Sequence, residues 1–207
     1  MIKSIKICGV SDPKTLNYLL SHPCPPKFIG FITNYEKSKR FVEFQKLKEL
    51  IDVDKKQINF TSVLVSPTDA ILEKIKDLNF DYYQLYDVSP ERTIEIKNKY
   101  KVKIISAITV SDKKDVEKYK NYSEISDIIL FDSKGYHKSE SFDHSLLNDI
   151  PSSLNKMIAG NIQIEDIPDF KNSDYMIDIS GALEDDSGKK DIKKIDKFLN
   201  KIHNINT

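Results

Sequence analysis

The sequence predicts an α/β chain of eight strand–helix units closing into a single-domain (β/α)8 (TIM) barrel over residues 1–207, on three observations. Short runs rich in Ile, Val, Phe and Tyr recur, separated by Lys/Glu-rich amphipathic stretches, which is the pattern of parallel strands joined by crossover helices. Eight such pairs in 207 residues average about 26 residues each, near the lower limit of a (β/α)8 barrel. No linker, composition shift or low-complexity segment divides the chain, and the rival architecture, a doubly wound open sheet, more often stops at about five or six strands.

In order, the strands are IKIC at 5–8, FIGFI at 28–32, TSVLV at 61–65, YYQL at 82–85, IISA at 104–107, IILF at 128–131, MIA at 157–159 and MIDI at 176–179. The helices follow them at 13–21, 42–51, 67–78, 89–100, 113–119, about 145–154, 164–170 and 190–202. Three helix starts carry a capping oxygen: Ser66 ahead of Pro67, Ser89 ahead of Pro90 and Ser111 ahead of Asp112. A side-chain oxygen satisfies the first free amides of a helix, and proline fits the first turn because its missing N–H had no helical partner.

At 39% hydrophobic and 31% charged with no net charge, the chain is a soluble globular protein, which excludes disorder and collagen. Basic and acidic residues are interspersed, so no stripe suits nucleic acid and no polybasic end suits a membrane surface. Two cysteines make no disulfide framework, no apolar run approaches the roughly 20 residues of a membrane span, and the N-terminus has no cleavable leader pattern. A reduced cytoplasm and a small-molecule partner are expected. Only 6 residues are Gly, so each place where one stands matters.

A barrel confines chemistry to the residues just after each strand, at its C-terminal mouth. The first window holds Cys8-Gly9, with Lys6 on the same strand face. A neighbouring cation would lower the thiol pKa and make Cys8 a usable base; the alternative is a small buried apolar residue. The sixth window ends in Phe131-Asp132-Ser133, where partial burial would raise the Asp132 pKa and make a general acid, the alternative being a turn cap. After the second strand comes SKRFV. Its Arg40 is one of only two arginines, the other being Arg92, and a planar guanidinium clamps a carboxylate in a way lysine cannot. The last two windows hold Gly160-Asn161 and Asp178-Ile179-Ser180-Gly181-Ala182. Small residues there let backbone amides approach a phosphate. His22, His137, His144 and His203 show no metal-ligand spacing and are expected on the surface, and Cys24, within HPCPP, is expected to pack in a loop.

Together these windows resemble the phosphoribosylanthranilate isomerase family of tryptophan biosynthesis. The likeness runs nearly end to end through KICGV, SKRFV, QLY, LFDS, SFDHSLL, AGN and DISGALE followed by GKKD. The resemblance implies an Amadori rearrangement of N-(5-phosphoribosyl)anthranilate to the corresponding ribulose phosphate. By position it implies Asp132 as general acid, Cys8 as general base, Arg40 on the anthranilate carboxylate, Asp178 near the polar groups of the substrate, and phosphate-binding amides at Gly160, Asn161, Ser180, Gly181 and Ala182. It implies no cofactor and no metal, and a monomer or homodimer. The sequence departs from the family where a Gly-rich segment is replaced by residues 135–141, at Asn161 and at Gly181-Ala182, and where the usual His after QL is Tyr86. Two other readings compete: an isomerase of a related aminoaldose phosphate, which normally pairs two carboxylates, and a degenerate barrel that binds a sugar phosphate without turnover.

Overall fold

The computed structural model describes residues 2–133 and 141–207. Its strands are β1 (Ser4–Cys8), β2 (Phe28–Ile32), β3 (Asn59–Val65), β4 (Tyr82–Tyr86), β5 (Lys103–Val110), β6 (Ile128–Ser133), β7 (Lys156–Ile158) and β8 (Met176–Ile179). Each is parallel to the next, and β8 pairs with β1 with Lys6 opposite Asp178, so the sheet closes as a (β/α)8 barrel with no exposed edge. Strand alternation splits the apolar residues. Phe28, Tyr82, Ile105, Leu130, Met157 and Met176 fill the barrel, while their sequence neighbours pack outward against the helices.

The helices are α1 (Pro13–Ser21), α2 (Phe44–Ile51), α3 (Asp69–Ile75), α4 (Pro90–Tyr100), α5 (Lys113–Glu117) and α6 (Ile192–Asn206). The last shows why such segments fold as helices: Ile195, Phe198, Leu199 and Ile202 form one buried stripe at helical spacing, and the Asp191 carboxylate caps the first amides.

Five expectations about elements need correction. The stretch expected as a helix at 145–154 is a single 3-10 turn, His144–Leu147, because Pro151 disfavours helix at the residue before it. The stretch at 164–170 is likewise a 3-10 turn, Ile167–Phe170, since Pro168 belongs in a first turn and sits too late to extend a helix. Helix α2 starts two residues late because Val42 first bonds back to the carbonyl of Ile32 and Glu43 then caps the helix. Ser66 is not a cap; its φ of 41° and its amide bond to the Tyr86 carbonyl keep it in the sheet's extension, and Thr68 caps α3 instead. Asp112, not Ser111, caps α5, whereas Ser89 does cap α4. His22 is buried, contrary to expectation, because its Nδ1 accepts the Cys24 amide at 3.0 Å at the end of α1; His144 is half-buried and His203 is exposed. His137, and the segment expected to replace the Gly-rich loop up to Glu140, lie outside the described residues.

Candidate active site

A cavity of about 340 Å³ opens at the C-terminal mouth of the barrel. Cys8, Arg40, Asp132, Asp178, Gly160, Asn161, Ser180, Gly181 and Ala182, contributed by β1, β6, β8 and the loops after β2, β7 and β8, all line it. Cys8, Asp132 and Asp178 stand on the inward faces of their strands near the C-terminal ends, and the loops supply the rest.

At the base of the cavity lies a buried charge pair. The Lys6 ammonium, wholly buried, donates to Asp178 Oδ2 at 2.8 Å. Burial disfavours that ammonium, but the Asp178 carboxylate and the Cys8 sulfur more than offset it and hold Lys6 above its ordinary pKa. Burial also pushes Asp178 up, against the pull of Lys6, Lys190 and Arg40. The Oδ1 atom of Asp178 is buried without a hydrogen-bond partner among the described residues. An acceptor left open beside a cavity is a place for a ligand donor, since an unmet buried acceptor is costly.

The expected depression of the Cys8 pKa is overturned: burial raises it, and the attraction of Lys6 offsets only part of that rise. The cation is present as expected, but the thiol sits where water cannot solvate its anion. Cys8 stands opposite Gly30 in the β1–β2 ladder. A Cβ on Gly30 would fall 2.8 Å from Cys8 Sγ and 3.0 Å from Lys6 Nζ. Gly30 thus keeps the space in which thiol and ammonium meet. Gly30→Ala is expected to cost about 1–3 kcal/mol of stability through overpacking, and to lower turnover by more than the folded fraction falls. Denaturant midpoints compared with kcat at a temperature where both proteins are folded would check this; unchanged kcat would refute the crowding.

On the opposite wall, Asp132 is held by two donors. Its Oδ1 accepts the Ser133 amide at 2.8 Å, and its Oδ2 accepts the Tyr86 hydroxyl at 2.7 Å. Gln84 Nε2 in turn donates to Tyr86 Oη at 3.1 Å. Burial raises the Asp132 pKa to about 6, although the Tyr86 and Ser133 donors favour its charged form. This is the raised value expected of a carboxyl that donates a proton near neutral pH.

Arg40 clamps a carboxylate, as its chemistry suggests, and in the structure that carboxylate is Glu184: Nε to Oε1 at 2.5 Å and Nη2 to Oε2 at 2.8 Å. Lys190, buried, donates to Glu184 Oε1 at 2.7 Å and to the Ser180 carbonyl at 3.0 Å. Burial opposes the Glu184 anion, but Arg40 and Lys190 hold its pKa below the ordinary value. This network ties the loop after β2 to the loop after β8. Gly160 has φ 94°, and a Cβ there would lie 2.7 Å from Ser133 Cβ, so only glycine lets the loop after β7 pass the end of β6. Asn161 follows with φ 52°. Among the described residues, no cluster of His, Cys, Asp and Glu is arranged to hold a metal ion.

Sequence reading missed Gly30, the Gln84–Tyr86 chain and the Glu184–Lys190 pair. The first two carried a signal in strand alternation, because Gln84 and Tyr86 share the inward face of β4 and Gly30 falls on the inward face of β2. Glu184 and Lys190 meet only through the fold of the last loop.

The family model for N-(5'-phosphoribosyl)anthranilate isomerase matches residues 5–201. The chain belongs to the phosphoribosylanthranilate isomerase family. An isomerase of that name from Rhizobium rhizogenes is 32% identical over 98% of this chain and 95% of its own. One from Parabacteroides distasonis is 30% identical over 96% and 92%. Among solved structures, the isomerase of Thermotoga maritima superposes with TM-score 0.85 at 23% identity, covering 99% of this chain and 100% of that one. Another, solved in complex with reduced 1-(o-carboxyphenylamino)-1-deoxyribulose 5-phosphate, gives TM-score 0.83 at 22% identity over 99% and 100%. These structural likenesses show the fold, and the isomerase family assignment rests on the sequence matches.

Proposed function

We propose that the cavity performs the Amadori rearrangement of N-(5-phosphoribosyl)anthranilate, with Asp132 and Cys8 as its acid and base. The observation that carries this reading is that a buried carboxyl of raised pKa and a thiol beside a buried ammonium line one cavity in an isomerase-family barrel. Asp132 protonates the furanose ring oxygen. The bond from that oxygen to C1 breaks as the anthranilate nitrogen lone pair forms C=N⁺, giving a protonated Schiff base. Cys8, as thiolate, removes the C2 proton, the electrons of that bond form C1=C2, and the C=N pair returns to nitrogen. The resulting enolamine tautomerises to the ketose. No redox partner is needed, because the aldose carbon is reduced as its neighbour is oxidised by the same proton shift.

Asp178 Oδ1 accepts from a sugar hydroxyl. Arg40, with its Nε edge spent on Glu184, turns its remaining N–H groups to the anthranilate carboxylate. The amides of Gly160 and Asn161, and those at Ser180, Gly181 and Ala182 where the 3-10 turn Gly181–Leu183 begins, receive the phosphate, since the first amides of such a turn lack partners within it. Every one of these residues comes from a single chain, so either a monomer or a homodimer carries whole sites. No helix among the described residues is long and apolar enough to cross a membrane, and we place the reaction in the cytoplasm.

The acid has the lower pKa of the pair, so the competent form, with Asp132 protonated and Cys8 ionised, is a minor tautomer of the singly protonated pair. The pH profile of kcat/KM is then a bell whose acidic limb, near 6, belongs to Asp132, although that residue acts as the acid. The alkaline limb, above the ordinary thiol value, belongs to Cys8. Purified protein is expected to turn over the substrate and to complement a strain lacking this step, and Asp132→Asn is expected to lose roughly 10²–10⁴-fold together with the acidic limb. Folded wild-type protein that gives no turnover would sink the proposal.

A further inference from the structure

We propose that Tyr86 is a positioning residue for the acid: its hydroxyl, oriented by Gln84, holds the carboxylate that remains when Asp132 has given its proton to the substrate. The inference rests on the reading of Asp132 as the acid and adds the group that makes it a good one. Three side chains from two adjacent inward-facing positions of β4 and one of β6 form a directed chain. Gln84 Nε2 donates to Tyr86 Oη at 3.1 Å, and Tyr86 donates to Asp132 Oδ2 at 2.7 Å. Gln84 is 1% exposed and Tyr86 8%, so bulk water does not compete for these bonds. Because an amide N–H can only donate, Gln84 fixes the direction: the tyrosine oxygen receives from Gln84 and points its own hydrogen at the carboxylate. A donor aimed at the charged form stabilises the product of proton transfer, and a donor already polarised by another strengthens that effect.

Other charged groups act on Asp132 from non-adjacent strands of the barrel. Asp178 on β8 pushes its pKa up, and Lys6 on β1 pulls it down, while Cys8 and Asp178 also act on Tyr86 itself. None of these touches Asp132, whereas Tyr86 does. The tyrosine keeps its own proton throughout, since burial and the Asp132 charge hold its pKa well above the ordinary value. It therefore lends a hydrogen bond and never competes as an acid.

Tyr86→Phe keeps the ring and removes the hydroxyl, which is the donor to Asp132 and the acceptor for Gln84. In that variant the Asp132 carboxyl, followed by carbon-detected NMR, is expected to titrate about one to two pH units higher than in the wild type, the shift that corresponds to losing one hydrogen bond to a charged group. Gln84→Met is expected to move it in the same direction by less. The acidic limb of kcat/KM should follow the carboxyl. On that limb, where Asp132 is protonated in both proteins, Tyr86→Phe should turn over roughly tenfold more slowly, because the conjugate base is less stabilised in the transition state. An Asp132 midpoint that stays put or falls in Tyr86→Phe would overturn the proposal. The NMR titration needs no turnover, so absence of activity in the wild type would count against the role of Asp132 in the reaction while leaving the test of the Tyr86 contact intact.

Discussion

Cys8→Ala is expected to lower kcat by roughly 10²–10⁴-fold, the usual worth of a positioned general base, with the protein folded and KM changed little. The reason lies in what else faces the cavity. Asp178 is committed through Oδ2 to Lys6, Glu184 is committed to Arg40 and Lys190, and Asp132 stands on the acid side with its donors from Ser133 and Tyr86. Among the described residues, each of these other carboxylates at the mouth is thus already engaged through at least one oxygen. Cys8→Ser is expected to be nearly as poor, since a hydroxyl in the same buried place ionises far less readily than a thiol. The alanine variant should also retain substrate binding, because Arg40 and the loops after β7 and β8 are untouched. Steady-state kinetics with direct measurement of substrate binding would separate the two effects. A Cys8→Ala enzyme within tenfold of wild-type kcat would mean that another group removes the C2 proton.

Most of this site was legible in the sequence because a barrel converts linear order into a ring. Once eight strands are recognised, the last inward-facing residue of a strand reaches the mouth, which is where Cys8, Asp132 and Asp178 stand. Arg40 was legible for a different reason, as one of only two arginines in a lysine-rich chain. What stayed hidden depends on distances across the ring. Lys6 and Asp178 are 172 residues apart and pair because β8 closes on β1; Arg40 and Glu184 are 144 apart and meet over the mouth. The sign of the Cys8 shift was also hidden, since it depends on how completely the thiol is desolvated, which is a property of packing. The two helices expected before β7 and β8 failed where Pro151 and Pro168 outweighed a weak periodicity. Short 3-10 turns there still close the barrel, because β6, β7 and β8 pair whether or not a long helix connects them.

Lys6→Met is expected to destabilise the fold by about 3–5 kcal/mol at neutral pH, the cost of breaking a buried ion pair from one side, and to abolish most activity in whatever folds. Methionine fills most of the volume of the lysine stem, so the loss is electrostatic in origin. Without the ammonium, Asp178 is left buried with neither Oδ1 nor Oδ2 partnered, and Cys8 loses the cation that opposes its desolvation. The pH dependence has a definite sign. Lys6 is held above its ordinary value, so its contribution is fully present at neutral pH and is lost only as pH rises through that raised value. In the variant Asp178 rises further and takes up a proton as pH falls, so the stability gap between variant and wild type should narrow in acid. Lys6→Met/Asp178→Asn is expected to recover much of the stability, because it removes the stranded charge, and to recover none of the activity, because Cys8 remains without its cation. Urea denaturation of Lys6→Met, Asp178→Asn, the double variant and wild type at two pH values closes a double-mutant cycle on the pair. If the double variant were no more stable than Lys6→Met, the ion pair would contribute nothing beyond packing. If it regained activity, the ammonium would be dispensable to the base, and the pairing of Lys6 with Cys8 would be purely architectural.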